Sequence, residues 1–136
     1  MLELVHAVMH LFRSRQYRAL DELALGLTHM EGKVLGFFAR HPGSTQSDLA
    51  QHSGRDKAQL ARLIKGLRER GLLSAEADAG DRRHLRLQLT EAGQELQRAL
   101  RLQGRRLEAR AVAGLSAPER ERLVALLRRV RANLEA

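Results

Sequence analysis

The residues best equipped for chemistry in this chain are cations in two short clusters. Arg55, Arg62 and Lys65 recur at helical spacing around Ala58 and Gln59, and Arg82, Arg83, His84 and Arg86 follow within a few residues of one another. A guanidinium suits bidentate contact with phosphate or with a guanine edge. Over 136 residues, 24 Lys and Arg against 16 Asp and Glu leave a net charge of +8, which favours a polyanionic partner over an acidic catalytic cleft. Only Lys33, Lys57 and Lys65 are lysines; the other 21 cations are Arg. GC-rich coding also yields an Arg excess, so the positions of these residues carry more meaning than their number. No Ser-His-Asp ordering, paired carboxylates or phosphate loop stands out, which argues against a small hydrolase and against an enzyme in general.

What is scarce narrows the chemistry further. Aromatic residues make up 3%, with no Trp and one Tyr, so the stacking platforms of single-strand binders are missing. The absence of Cys removes disulfides, thiolate nucleophiles and Cys-based zinc sites. His6 and His10 stand four apart, the spacing of a metal-binding pair, but only Glu3 lies nearby as a third ligand. They read better as surface or interface histidines, and neither metal nor cofactor is expected. No apolar run approaches a membrane span and no signal-peptide layout opens the chain, so a soluble, cytoplasmic protein is expected. Hydrophobic residues at 43% suffice for one packed core.

The elements that must position the cations follow from periodicity. Leu4, Val8, Leu11 and Phe12, then Leu20, Leu23 and Leu25, predict a long helix over 2–25, bending near Arg13 to Tyr17 and ended by Gly26. Thr28-His29-Met30-Glu31 is spaced as a capping box, opening a helix that carries Val34, Leu35, Phe37 and Phe38 and stops at His41-Pro42-Gly43. Thr45 with Asp48 starts a short helix from Gln46 to about His52, and Asp56 caps another that runs to Gly71. His84 to Leu89 then alternates strictly and pairs with Leu72 to Ala77 around the loop 78–81, forming a two-stranded ribbon with Arg82 and Arg83 at its tip. Such a ribbon is marginal alone and must lean on the helices before it. Thr90 restarts a helix to Gly114, interrupted at Gly104, and Ser116-Ala117-Pro118-Glu119 caps the last one.

Residues 46–67 have the layout of a helix-turn-helix. Ala50 is the small residue where the helices cross, and Gly54 can take the positive φ of the turn. Leu49, Leu60 and Leu63 are spaced to fill the gap between them. At 100° per residue, Leu60, Leu63, Ile64 and Leu67 centre on one side of the second helix. Arg55, Ala58, Arg62 and Lys65 centre on the other, with Gln59 on the flank. A solvated face has the same pattern. Followed by a basic-tipped ribbon, it fits insertion into a DNA major groove, with Ala58 permitting close approach. Arg82 and Arg83 suit a minor groove, and His84 and Arg86 suit added phosphate contacts.

Asp81-Arg82-Arg83-His84-Leu85-Arg86-Leu87-Gln88-Leu89-Thr90-Glu91-Ala92-Gly93 resembles the wing signature of the MarR family of winged-helix transcription regulators. Leu67 to Leu73 is similar to the end of that family's recognition helix. The resemblance implies a mainly α fold with a small β-hairpin wing, a winged helix-turn-helix over 27–90, and long dimerisation helices over 1–26 and 91–136. It places Arg62 in the major groove and Arg83 in the minor groove, and has Asp81 help to fix the wing. Ala75 departs from the pattern, because many members have an Arg there for an ionic contact at the base of the wing. Without Cys, the peroxide-sensing mechanism of some relatives is excluded.

Leu2, Val5, Val8 and Met9, with Leu123, Leu126, Leu127, Val130 and Leu134, exceed what a compact 27–90 lobe could cover and fit an intersubunit core, an intramolecular cap being the alternative. His10, Arg13, Phe37, Phe38 and Arg40 could line a cleft for a small aromatic or phenolic effector, although core packing also explains the Phe pair. The resulting expectation is a homodimeric regulator of double-stranded DNA, a ligand-released repressor on a pseudo-palindromic operator. A nonspecific architectural DNA-binding protein is the main alternative, and a protein-only adaptor a further one.

Overall fold

The computed structural model describes residues 1–22, 26–80 and 84–136. Six helices and one hairpin follow in order: α1 (Leu2–Glu22), α2 (His29–Arg40), α3 (Gln46–Ser53), α4 (Lys57–Glu69), β1 (Leu73–Ala77), β2 (Leu85–Leu89), α5 (Glu91–Ala111) and α6 (Ala117–Glu135). They form two compact units, residues 1–104 and 105–136.

Within the first unit, local capping sets the helix starts. Thr28 Oγ1 accepts from the Glu31 amide at 3.1 Å while Glu31 Oε1 accepts from the Thr28 amide at 2.9 Å, so two amides at the mouth of α2 are satisfied reciprocally. Thr45 and Asp48 do the same for α3, at 3.2 and 2.9 Å. Between the two helices, His41-Pro42-Gly43-Ser44 makes a tight turn closed by Ser44 N–H to His41 O at 3.2 Å, with Gly43 at φ +82°. Pro at the second position and a positive-φ glycine at the third are what a type II turn requires.

The apolar stripes of α2, α3 and α4 meet the hairpin in one core. Val34, Leu35, Phe38, Leu60, Leu67 and Leu87 are almost wholly enclosed, and Leu49, Ile64, Leu72 and Leu73 join them. Phe37 and Phe38 pack edge to face at 5.2 Å. The strands pair antiparallel, with Leu73 opposite Leu89 and Ala77 opposite Leu85. Of the three alternating leucines in β2, Leu87 is buried, Leu89 half-buried and Leu85 39% exposed. The ribbon therefore runs outward past the edge of the core. It leans on the helices through backbone pairing: Leu87 N–H donates to Ser44 O and Gly43 N–H donates to Leu87 O, both at 2.9 Å. The turn after α2 thus lends β2 a third, one-residue strand.

Thr90 locks α5 onto this lobe. Its hydroxyl donates to Gly71 O at 2.6 Å and accepts from the Gly93 amide at 3.1 Å, and its own amide donates to Leu72 O at 3.1 Å. Gly93 lies so close to the Leu72 carbonyl that a Cβ there would collide with it. Leu96 and Leu100 extend the contact along α5. In the second unit, Ser116 and Glu119 form the expected capping box, and Arg120 donates to Leu115 O and Val112 O at 3.1 and 3.4 Å.

Three expectations need adjustment. α1 is one uninterrupted helix to Glu22, and residues 23–25, where the sequence continues the pattern, lie outside the described residues. α5 is one continuous helix across Gly104, because a glycine in a helix interior costs only about 1 kcal/mol. α4 ends at Glu69 rather than Gly71, since Gly71 at φ +72° belongs to the turn into β1.

The two glycines of α5 give opposite expectations. Gly93→Ala should lower stability by about 1–3 kcal/mol through overpacking against Leu72. Gly104→Ala, with nothing within 4 Å of the new Cβ, should raise it by up to about 1 kcal/mol. Urea denaturation of the two variants beside the parent chain measures both.

Candidate nucleic-acid interface

The turn between α3 and α4 aims the second helix. Gly54 terminates α3 in the left-handed region at φ +66°, with its amide donating to Ala50 O at 2.9 Å, a conformation that glycine adopts without a Cβ penalty. Asp56 Oδ1 then accepts from the Ala58 amide at 3.4 Å to start α4, and Gln46 Nε2 donates to Lys57 O at 3.4 Å, tying the start of α3 to the start of α4. Ala50 is half-buried against the core at this crossing.

With Leu60, Ile64 and Leu67 held inside, the opposite side of α4 has nowhere to go but outward. Arg55, Ala58, Gln59, Arg62 and Lys65 are all exposed. A groove of about 350 Å³ runs between α3, α4 and β2, with Gln46, Lys57, Lys65, Arg68, His84 and Leu85 among its walls. Lys57 and Arg68 were not singled out from sequence. They lie one turn before and two turns after Ala61, on the border between the polar and apolar sides of α4, which is the signal that could have found them.

The hairpin brings one expected cation into a structural role. Arg86 donates to Gly43 O at 3.2 Å and pairs with Asp78 at 3.4 Å, so it bridges β2, the hairpin loop and the turn after α2. Ala75, opposite Leu87, packs against the core, and the Arg86–Asp78 pair supplies an ionic contact within the hairpin. The pair is half-exposed and worth under about 1 kcal/mol on its own. Asp81, Arg82 and Arg83 lie outside the described residues; His84 is exposed.

Arg70, at the end of α4, is a residue that sequence reasoning missed. Its Nη1 donates to Gly26 O at 3.1 Å and to Glu31 Oε2 at 3.3 Å, joining the end of α4 to the capping box of α2. The partners are 44 and 39 residues away, so no local pattern reveals the contact. The residues expected to line an effector cleft divide: Phe37 and Phe38 belong to the core, while His10, Arg13 and Arg40 are exposed. Phe37 also contacts the rings of His41 and His52, at 5.0 and 5.1 Å. Among the described residues no group of three or more His, Asp or Glu could hold a metal ion, and no helix is long and apolar enough to cross a membrane.

Leu2, Val5, Val8 and Met9 on α1 are exposed by 45 to 67%, and Leu123, Leu126, Leu127, Val130 and Leu134 on α6 by 41 to 82%. Runs of exposed apolar side chains of this kind mark association surfaces.

One titration is displaced. Partial burial, then the neighbouring charges of Lys33, Arg13 and Arg55, hold His29 below the ordinary imidazole value of 6.5. The unfolded chain therefore takes up this proton first as pH falls. The contribution to stability is complete above about pH 6.5 and is lost below it, until the folded form also protonates. Thermal unfolding between pH 7.5 and 5 should show this decline in the parent chain and a shallower one in His29→Gln.

Comparison with known proteins places this geometry. A profile of the MarR family matches residues 25–84, the segment between α1 and β2. The Bacillus subtilis (strain 168) protein YybA, described as an uncharacterised HTH-type transcriptional regulator, is 32% identical over 124 residues, covering 87% of this chain and 83% of its own. The crystal structure of an S. aureus MepR–DNA complex superposes with a TM-score of 0.82 at 25% identity, over 98% of this chain and 97% of that one. The crystal structure of MarR does so with a TM-score of 0.80 at 26% identity, over 98% and 90%. Over nearly its whole length the protein has the winged helix-turn-helix architecture of these structures, and it is a member of the MarR family of transcriptional regulators.

Proposed function

We propose that this regulator binds a pseudo-palindromic double-stranded operator as a homodimer, each subunit placing α4 in a major groove, and that it represses transcription until a small ligand releases it. The observation that carries the reading is the division of α4: one side is enclosed in the core and the other presents Arg55, Ala58, Gln59, Arg62 and Lys65 to solvent. Arg and Gln match the donor and acceptor patterns of guanine and adenine edges, and Ala58 offers a methyl group to thymine. The exposed apolar sides of α1 and α6 support a second copy of the chain as their cover. A dimer also resolves an affinity problem, because one lobe makes few base contacts and two linked lobes gain by effective concentration. MepR, whose fold this chain shares, is seen bound to DNA. Arg82 and Arg83, at the tip of the hairpin by sequence, would take the adjacent minor groove. Ligand release would act by changing the spacing between the two copies of α4.

Selection of duplexes from a random 30-base-pair pool tests the reading. A single enriched motif with two related half-sites about one helical turn apart is expected. Recovery of unrelated sequences at physiological salt would indicate an architectural protein instead. On the selected duplex, Arg62→Ala should weaken binding by about 1–3 kcal/mol and relax the preference at one position per half-site, with unchanged circular dichroism. A Leu127→Glu/Val130→Glu variant should sediment as a monomer, and its affinity for the duplex should fall by at least about 100-fold.

A further inference from the structure

Beside the helix-turn-helix, α1 and α2 carry cations, Arg13 and Lys33, to which the proposed base reading by α4 gives no task. The rings of Tyr17 on α1 and His29 at the start of α2 meet with centroids 5.4 Å apart. Arg13 is one turn before Tyr17 and Lys33 one turn after His29, so each lies on the face of its helix that makes this contact. Both act electrostatically on His29, as does Arg55 from the turn between α3 and α4, and all three disfavour its protonated form. Arg13, Lys33 and Arg55 are exposed, and Tyr17 is 55% exposed. Three cations acting on one imidazole make a positive region that suits an anion.

The exposure decides which anion. Sites for small molecules bury most of their ligand, whereas a duplex backbone is gripped by solvent-facing Lys and Arg that displace its condensed counterions. Arg55 directly precedes the cap of α4, so the strip is continuous with the proposed base-reading face.

We propose that Arg13 and Lys33, with Arg55, form a phosphate-binding strip on α1 and α2 that holds the sugar-phosphate backbone beside the bases read by α4. Tyr17 and His29 form its floor, and the strip adds affinity without sequence preference. The assignment rests on the DNA-binding reading above, and it gives α1 a second task beside the apolar face it offers to another copy.

The test uses the full chain and a fluorescein-labelled 30-base-pair duplex recovered by selection, with an unrelated duplex of equal length, in anisotropy titrations from 50 to 300 mM KCl. Arg13→Gln/Lys33→Gln should weaken both duplexes by the same factor, at least about tenfold at 150 mM. It should also lower the slope of log affinity against log salt by about 2, close to 0.9 for each phosphate that is no longer neutralised. Arg62→Ala should instead weaken the selected duplex more than the unrelated one. Unchanged slope and affinities within twofold of the parent chain overturn the strip while leaving the functional reading intact. So does a variant that binds duplex normally but no longer responds to sodium benzoate that displaces the parent chain, which would make this an effector site. A parent chain that binds no duplex at 50 mM overturns both. Should the double variant sediment differently from the parent chain, Lys33→Gln alone decides: a slope lower by about 1 supports the strip, and an unchanged slope overturns it.

Discussion

The burial of Leu60, Ile64 and Leu67 is the constraint on which the presentation of α4 depends. Enclosing each of these side chains is worth about 1.5–3 kcal/mol. Rotating the helix by half a turn about its axis would expose them and drive Arg62 and Lys65 into the core, where an unpaired charge costs several kcal/mol more. The outward face is therefore a consequence of the core rather than a separate design. Gly54 and Asp56 set where the helix starts, Arg70 ties its end to the mouth of α2, and Thr90 with Gly93 presses α5 onto the turn that follows it. Each contact restrains the axis of α4 and hence where its cations point.

The Arg-rich composition serves two purposes that only the structure separates. Arg70, Arg86 and Arg120 donate to carbonyl oxygens at element ends, at Gly26, Gly43, Leu115 and Val112. These groups are left over where helices and strands stop, and a long guanidinium reaches them from another element. On α4, by contrast, Arg62 and Lys65 are exposed on the side turned away from the core. A net charge of +8 hints at a polyanionic partner but does not say which cations meet it.

What was legible in the sequence was local or periodic. The capping residues Thr28, Thr45, Asp56 and Ser116 open helices where their spacing indicated, and the alternation around Leu85, Leu87 and Leu89 marks a strand. The two sides of α4 separate in the structure as they do in projection, because burial follows the 3.6-residue period. The rest depends on contacts between residues distant in the chain. The backbone pairing of Ser44 with Leu87, the reach of Arg70 to Glu31 and the closeness of Gly93 to Leu72 join segments with other elements between them, and composition carries no trace of them. Gly104 misled for a different reason: its helix cost is small beside the packing that holds the rest of α5. Arg13 and Lys33 are not grouped by the sequence because they lie on different helices, which meet where Tyr17 contacts His29.

Methylation interference decides whether the exposed side of α4 reads base edges in the major groove. A selected duplex is lightly methylated at guanine N7, which lies in the major groove, and the bound and unbound fractions are compared. Base reading by α4 requires that methylation at one or two discrete guanines in each half-site deplete the bound fraction, and that at least one of these positions lose its effect in Arg62→Ala. Identical methylation patterns in the two fractions would contradict it.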